Sequence, residues 1–168
     1  MDIRRFTPGD LPSIIQIQRQ VLPVGGWTEN DYLRFWQQPG GLALLAETGE
    51  GPLRRVVGFA VALRTAGEAE ILTLAVESTQ QRQGIGRQLL LAICCELTVL
   101  GVRRVYLEVR VSNQAAFNLY ASAGFVLTYV RKNYYVQPDE DAYVMSLDLT
   151  CPGFSKEGPC VEPSKTAY

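Results

Sequence analysis

Residues 104–110 alternate strictly: Val105, Leu107 and Val109 fall on one side, and Tyr106, Glu108 and Arg110 on the other. That period of two is the signature of a strand with one face in a core. Just upstream the period changes. Residues 84–100 set Ile85, Leu89, Ile93, Leu97 and Leu100 on one stripe of a helix that Gly101 closes. Downstream, residues 113–123 predict a shorter helix ended by Gly124, and residues 125–131 and 142–149 predict two strands around a polar loop.

The amino-terminal half is written in the same terms. A short strand over residues 3–6 leads into Thr7-Pro8-Gly9-Asp10, where Asp10 is placed to cap a helix bearing Leu11, Ile14, Ile15 and Val21 on its apolar side. A second helix starts after Thr28, carries Tyr32, Leu33, Phe35 and Trp36, and stops before Pro39-Gly40-Gly41. Residues 42–47 and 56–63 predict strands joined by a turn with Gly49, Gly51 and Pro52, and residues 70–76 predict another. Strands mixed with helices in this order indicate an α/β fold with one central sheet. A single domain over residues 1–150 is expected, followed by a flexible tail over 151–168, where periodicity gives way to Pro, Gly, Ser and Lys.

Composition narrows the chemistry. The 168 residues, 47% of them hydrophobic, suffice for one domain with a substantial core. No apolar run is long enough to span a bilayer, and the start Met1-Asp2-Ile3-Arg4-Arg5 lacks a secretory pattern, so a soluble cytoplasmic protein without membrane association is expected. A net charge of −1 argues against a broad grip on nucleic acid. The chain has no histidine, which removes the usual serine and cysteine triads, HExxH zinc sites and imidazole bases. Cys94 and Cys95 lie in the apolar helical stretch and read as buried thiols, and Cys151 and Cys160 have no partners at metal spacing, so no metal is expected. A disulfide between the last two is disfavoured in a reducing cytosol. Acid–base work falls to carboxylates, tyrosines or lysines.

The richest segment is residues 76–87, a predicted strand running through a glycine-bearing turn into the long helix. A helix start offers free N–H groups and a favourable dipole to an anion, and glycines let that anion approach the backbone. Arg82 and Arg87 add charge beside it. Taken alone, Gly84 and Gly86 also fit a glycine pair that merely shapes a turn. A Walker loop lacks its Gly-Lys-Ser/Thr here, and a Rossmann fingerprint lacks its third glycine where Leu89 stands.

Gln81-x-x-Gly84-x-Gly86, placed after a strand and before a helix, resembles the Gln/Arg-x-x-Gly-x-Gly/Ala signature of the GCN5-related N-acetyltransferases, the GNAT superfamily. The similarity continues through Leu107-Glu108-Val109-Arg110, Ser112-Asn113, Leu119-Tyr120 and Gly124-Phe125 to Arg131-Lys132-Asn133-Tyr134-Tyr135, which together resemble the bacterial ribosomal-protein-alanine (RimI-type) branch. It is weak over the first sixty residues, where Gly26-Trp27-Thr28-Glu29 is only similar to the branch's Pro-Trp-Ser/Thr-Glu. The resemblance implies a GNAT fold, a mixed and mostly antiparallel sheet flanked by helices, with acetyl-CoA as co-substrate. It also implies that Leu74, Ala75 and Val76 bond pantetheine like an added strand, that Arg82, Gln83, Gly84, Ile85, Gly86 and Arg87 cradle the pyrophosphate, and that Asn113 contacts the cofactor.

By the same resemblance Glu108 is the proton acceptor and Tyr120 the proton donor; on residue type alone a solvated strand glutamate and a core tyrosine would serve as well. The implied acceptor is a protein N-terminus, specifically the N-terminal alanine of a ribosomal protein. Elementary titration favours such an acceptor. An α-amine near ~8 is about a tenth neutral at pH 7, against roughly one lysine in 2,500 at ~10.4. Direct transfer follows, with no acylated cysteine. Asn133-Tyr134-Tyr135 and residues 139–141 are expected to form one wall for the acceptor and Trp27 the other, with the acidic run either attracting a cation or simply solvated. A small-molecule amine acceptor and a non-catalytic acetyl-CoA-binding module are the competing readings.

Overall fold

The computed structural model describes residues 1–22 and 26–150. Along these residues run β1 (Asp2–Arg5), α1 (Leu11–Val21), α2 (Glu29–Trp36), β2 (Gly41–Thr48), β3 (Arg55–Thr65), β4 (Glu68–Val76), α3 (Ile85–Val99), β5 (Arg104–Arg110), α4 (Gln114–Ser122), β6 (Val126–Val136) and β7 (Asp139–Asp148). The strands form one sheet in the order β1-β2-β3-β4-β5-β7-β6. Every neighbouring pair is antiparallel except β4 and β5. The α/β fold with a mixed, mostly antiparallel sheet is as expected. The anticipated tail, with Cys151 and Cys160, lies outside the described residues.

Alternation assigns each strand's side chains to one of two cores. Leu42, Leu44 and Ala46 of β2 pack under α3 with Leu89, Leu90, Ile93 and Leu97, whereas Ala43 and Leu45 join Phe59 and Val61 beneath α1 and α2. Leu89, Leu90, Ile93 and Leu97 have no exposed surface. Burying each such side chain contributes roughly 1.5–3 kcal/mol before chain entropy is set against it. β3 and β4 are closed by Ala66-Gly67 with both residues at positive φ, the geometry of a two-residue primed turn. The hairpin therefore extends past the bounds of 56–63 and 70–76 read from the sequence.

Inside β4 the phase of the alternation slips. Ala69 and Ile71 face α3, but beyond them it is Leu74 and Val76 that do so. The cause is a bulge: Ala62 pairs with Ile71 and Val61 with Thr73, leaving Leu72 as the extra residue. A bulged strand bends. The parallel pairing of β4 with β5 covers only Glu68↔Arg104 to Ile71↔Leu107 and ends there. Beyond this point β4 stays with β3 while β5 stays with β7, and the sheet forks.

Several boundaries differ from the sequence-based expectation for identifiable reasons. Asp10 does not cap α1 with its side chain; its carboxylate accepts from Arg4 Nη1 and Nη2 at 2.8 and 2.6 Å and from Thr7, in a turn that precedes the helix. Those bonds to Arg4 and Thr7 lower its pKa to about 2 despite partial burial. Leu100 lies past the end of α3 and is exposed, so the apolar stripe ends at Leu97. β6 and β7 run on through the polar residues assigned to a loop, leaving only Gln137 and Pro138 between them. Cys94 is a buried free thiol pushed up to about 12 by desolvation, while Cys95, one step around the helix, is only half-buried.

Candidate active site

The fork exposes a strip of backbone. Glu77 N donates to Val57 O at 2.8 Å, so antiparallel alternation turns the main-chain groups of Ala75 toward β3 and those of Leu74 and Val76 toward the open side. Consistently, the Val76 carbonyl accepts from a side chain, Gln81 Nε2, at 3.0 Å. Gln81, first letter of the sequence motif, thus ties the following loop to the end of β4.

That loop turns through two residues at positive φ, Arg82 at 63° and Gly84 at 83°, and delivers α3 with Gly84 as its N-cap. No side chain caps the helix, which leaves the first-turn N–H groups of Ile85, Gly86 and Arg87 without intrahelical acceptors. Gly84 is required by its left-handed backbone. Gly86 is not required by its own packing. A Cβ there would meet Leu119, Leu74 and Val76 at 3.5–3.7 Å, ordinary contact distances. Arg82 and Arg87 are exposed, and neither guanidinium is in an ion pair among the described residues. Uncapped donors, unpaired arginines and a free strand edge fit a long ligand with an anionic end.

Glu108 lies on the opposite branch of the fork, on the face of β5 that points away from α3. Its carboxylate is ion-paired with Arg131 of β6. Tyr134 lies beside it, and Glu108 is the first cause of the rise in the Tyr134 pKa to about 12. Tyr120 sits on α4 in the core beneath the other face, its ring 5.9 Å from that of Phe125. Burial, with a smaller effect from Tyr135, pushes its phenol up to about 12, so it carries its proton throughout the neutral range. The titration of Tyr135 is raised by burial first and then by the Glu108 charge.

The β6–β7 turn that follows these tyrosines is held by Arg110, two residues beyond Glu108. Its guanidinium donates to Gln137 O, Pro138 O and Glu140 at 3.1–3.3 Å and lies 3.9 Å above the Tyr135 ring. The acidic run is already engaged: Glu140 accepts from Ser112 N at 2.5 Å, and Asp141 accepts from Lys132 Nζ at 2.7 Å and Asn133 N at 2.9 Å. These two carboxylates therefore fasten the turn. Asn113 caps α4, its Oδ1 accepting from Ala116 N at 3.1 Å, which leaves only its amide NH₂ to face a ligand.

Across the sheet, buried Gln18 of α1 organises the segment ahead of α2. Its Oε1 accepts from Tyr32 Oη at 2.7 Å and Trp27 N at 3.1 Å, and its Nε2 donates to Trp27 O at 2.7 Å. Trp27 is then packed at ring distances of 5.1 and 5.3 Å from Tyr32 and Phe35. The sequence placed Arg110 on the face of Glu108 without giving it a role, and Gln18 was not singled out. The signal for Gln18 was a glutamine on an otherwise apolar helix face.

Residues 11–125 match the Acetyltransferase (GNAT) family, and the chain belongs to it. It is similar to the ribosomal protein bS18-alanine N-acetyltransferase of Salmonella typhimurium, with 36% identity over 143 residues, 84% of this chain and 93% of that protein. The crystal structure of the ribosomal-protein-S18-alanine N-acetyltransferase from Escherichia coli aligns with a TM-score of 0.79 at 34% identity, covering 89% of this chain and 94% of that one. Arabidopsis thaliana NAA60 in complex with acetyl-CoA shares the fold, with a TM-score of 0.78 at 21% identity over 89% and 99% of the two chains. This chain is an N-acetyltransferase that uses acetyl-CoA. Among the described residues no helix is long and apolar enough to cross a membrane, and no cluster of potential metal ligands occurs.

Gln18→Leu should lower stability by about 1–3 kcal/mol by leaving the Tyr32 hydroxyl and both Trp27 main-chain groups without their partner. Chemical denaturation of Gln18→Leu, Tyr32→Phe and the double variant measures it. The double variant should lose less than the sum of the singles, because one bond is shared.

Proposed function

We propose that this enzyme acetylates the α-amino group of a protein N-terminus, the N-terminal alanine of a ribosomal protein, with Glu108 as proton acceptor and Tyr120 as proton donor. The observation that carries the reading is the position of Glu108 on an open sheet face at the fork, opposite a strand edge and helix start suited to acetyl-CoA. The similarity to the Salmonella and Escherichia coli enzymes supplies the acceptor class.

Bound acetyl-CoA supplies the activated acetyl group. Leu74 and Val76 offer main-chain groups to its pantetheine arm, while Ala75 keeps the strand anchored to β3. Arg82, Gln83, Gly84, Ile85, Gly86 and Arg87 surround its pyrophosphate with main-chain donors and two cations. The Asn113 amide group borders the same cleft. Glu108 takes a proton from the acceptor's ammonium, which cannot attack while charged. Tyr120, kept protonated by burial, returns a proton to the departing thiolate. No cysteine is acylated: Cys94 is buried with its thiol held protonated, far from the behaviour of an activated nucleophile.

Purified enzyme should acetylate a peptide beginning with alanine and leave free polyamines unmodified, as followed by acetyl-CoA consumption; turnover confined to polyamines would contradict the assignment. Glu108→Gln should lower kcat by roughly 10²-fold or more, with a smaller fall for Tyr120→Phe, while CoA affinity measured by calorimetry stays near that of the parent. Parental turnover in both variants would remove these residues from the mechanism.

A further inference from the structure

Glu70 has no place in the scheme above, yet it stands at the crotch of the fork. The parallel register pairs Glu70 of β4 with Tyr106 of β5, one residue before the pairing ends. With a period of two, Glu70 and Glu108 project from the same face as diagonal neighbours on adjacent strands, close enough for their charges to act on one another. The neighbouring phenol does not bridge them, because Tyr106 Oη bonds to Glu68 at 3.2 Å. Facing Glu108 are Glu70 from β4, Tyr106 and Arg110 from β5, and Arg131, Tyr134 and Tyr135 from β6; β7 contributes only Val144 opposite it.

Of the cations in this group, Arg110 is engaged with Glu140 and the β6–β7 turn, which leaves Arg131 as the counter-ion at the crotch. Glu70 has no ion-pair partner among the described residues. Two carboxylates thus face one guanidinium that, among the described residues, pairs with only Glu108, and the surplus negative charge suits a second cation.

We infer that Glu70 and Glu108 form a two-carboxylate seat for the acceptor's ammonium, and that Arg131 is an internal competitor for that seat, which the acceptor must displace. The inference rests on the α-amine reading of the site and names the groups that would recognise it. Exposure supports the division of roles: the Glu108 side chain is 15% exposed and that of Arg131 48%. An ion pair so open to solvent is weak enough to exchange. The Arg131 guanidinium also lies 4.8 Å from the Tyr134 ring centre, a second contact that holds it when the carboxylate is taken. Glu70 binds its proton more readily than an ordinary glutamate, through burial first and then through repulsion by Glu108, with Arg131 acting in the opposite sense.

The test measures binding, not turnover. Enzyme saturated with CoA is titrated by calorimetry with a peptide beginning with alanine and with its desamino analogue, in which a propionyl group replaces the alanyl residue. Arg131→Gln should tighten the amino peptide by about two- to fivefold, the yield of removing one exposed competing ion pair, and leave the desamino analogue unchanged. Arg131→Lys should keep the parental value. Glu70→Gln should weaken the amino peptide selectively by a similar factor. Equal shifts for both peptides, or none, would overturn the inference by reducing Arg131 and Glu70 to scaffolding. Failure of the amino peptide to bind any form would overturn the α-amine reading along with it. If Glu108→Gln retains turnover while Arg131→Gln still sharpens amine binding, the base assignment fails and the seat stands.

Discussion

The unzipping of β4 from β5 is the constraint on which the rest of the structure depends. A parallel pair with both faces covered would ordinarily run its full length, but Leu72 is one residue too many for the register with β3. Its insertion bends β4 away after Ile71 and turns the core-facing set from Ala69 and Ile71 to Leu74 and Val76. The same event creates a free strand edge on one branch and leaves the Glu108–Arg131 pair on the other. In the proposed scheme each half of the reaction is thereby given its own wall.

Both walls are stiffened from outside the cleft. On the β5 side, Arg110 holds the turn that follows Tyr134 and Tyr135, while Glu140 and Asp141 close that turn with main-chain and lysine contacts. Beneath α1, Gln18 fixes Trp27 against Tyr32 and Phe35. None of these residues performs chemistry in the proposed scheme. They fix the positions of aromatic groups that would otherwise rotate, which is what a site must do to align an amine with a thioester.

Much of this was legible in the chain itself. Strict alternation over 104–110 placed Glu108 on the polar face of its strand, and the Gln81-x-x-Gly84-x-Gly86 spacing marked the helix start, because both are local patterns. What escaped the sequence depends on long-range geometry. Nothing around Leu72 announces a bulge, since its effect is a register against β3. The acidic run 139–141 looked like a solvated or substrate-attracting loop because its partners, Arg110, Ser112 and Lys132, are brought to it only by the pairing of β5, β6 and β7. Asp10 looked like a cap because its claim by Arg4 requires β1 and the following turn to be in place.

The central claim is that the free edge of β4 receives the cofactor as an added strand. Amide hydrogen exchange across residues 72–77, followed with and without acetyl-CoA, tests it at the groups concerned. The account predicts that the Leu74 and Val76 amides become protected on binding, while Ala75, already turned toward β3, changes little. Unchanged exchange at Leu74 and Val76 in cofactor-saturated enzyme would contradict it.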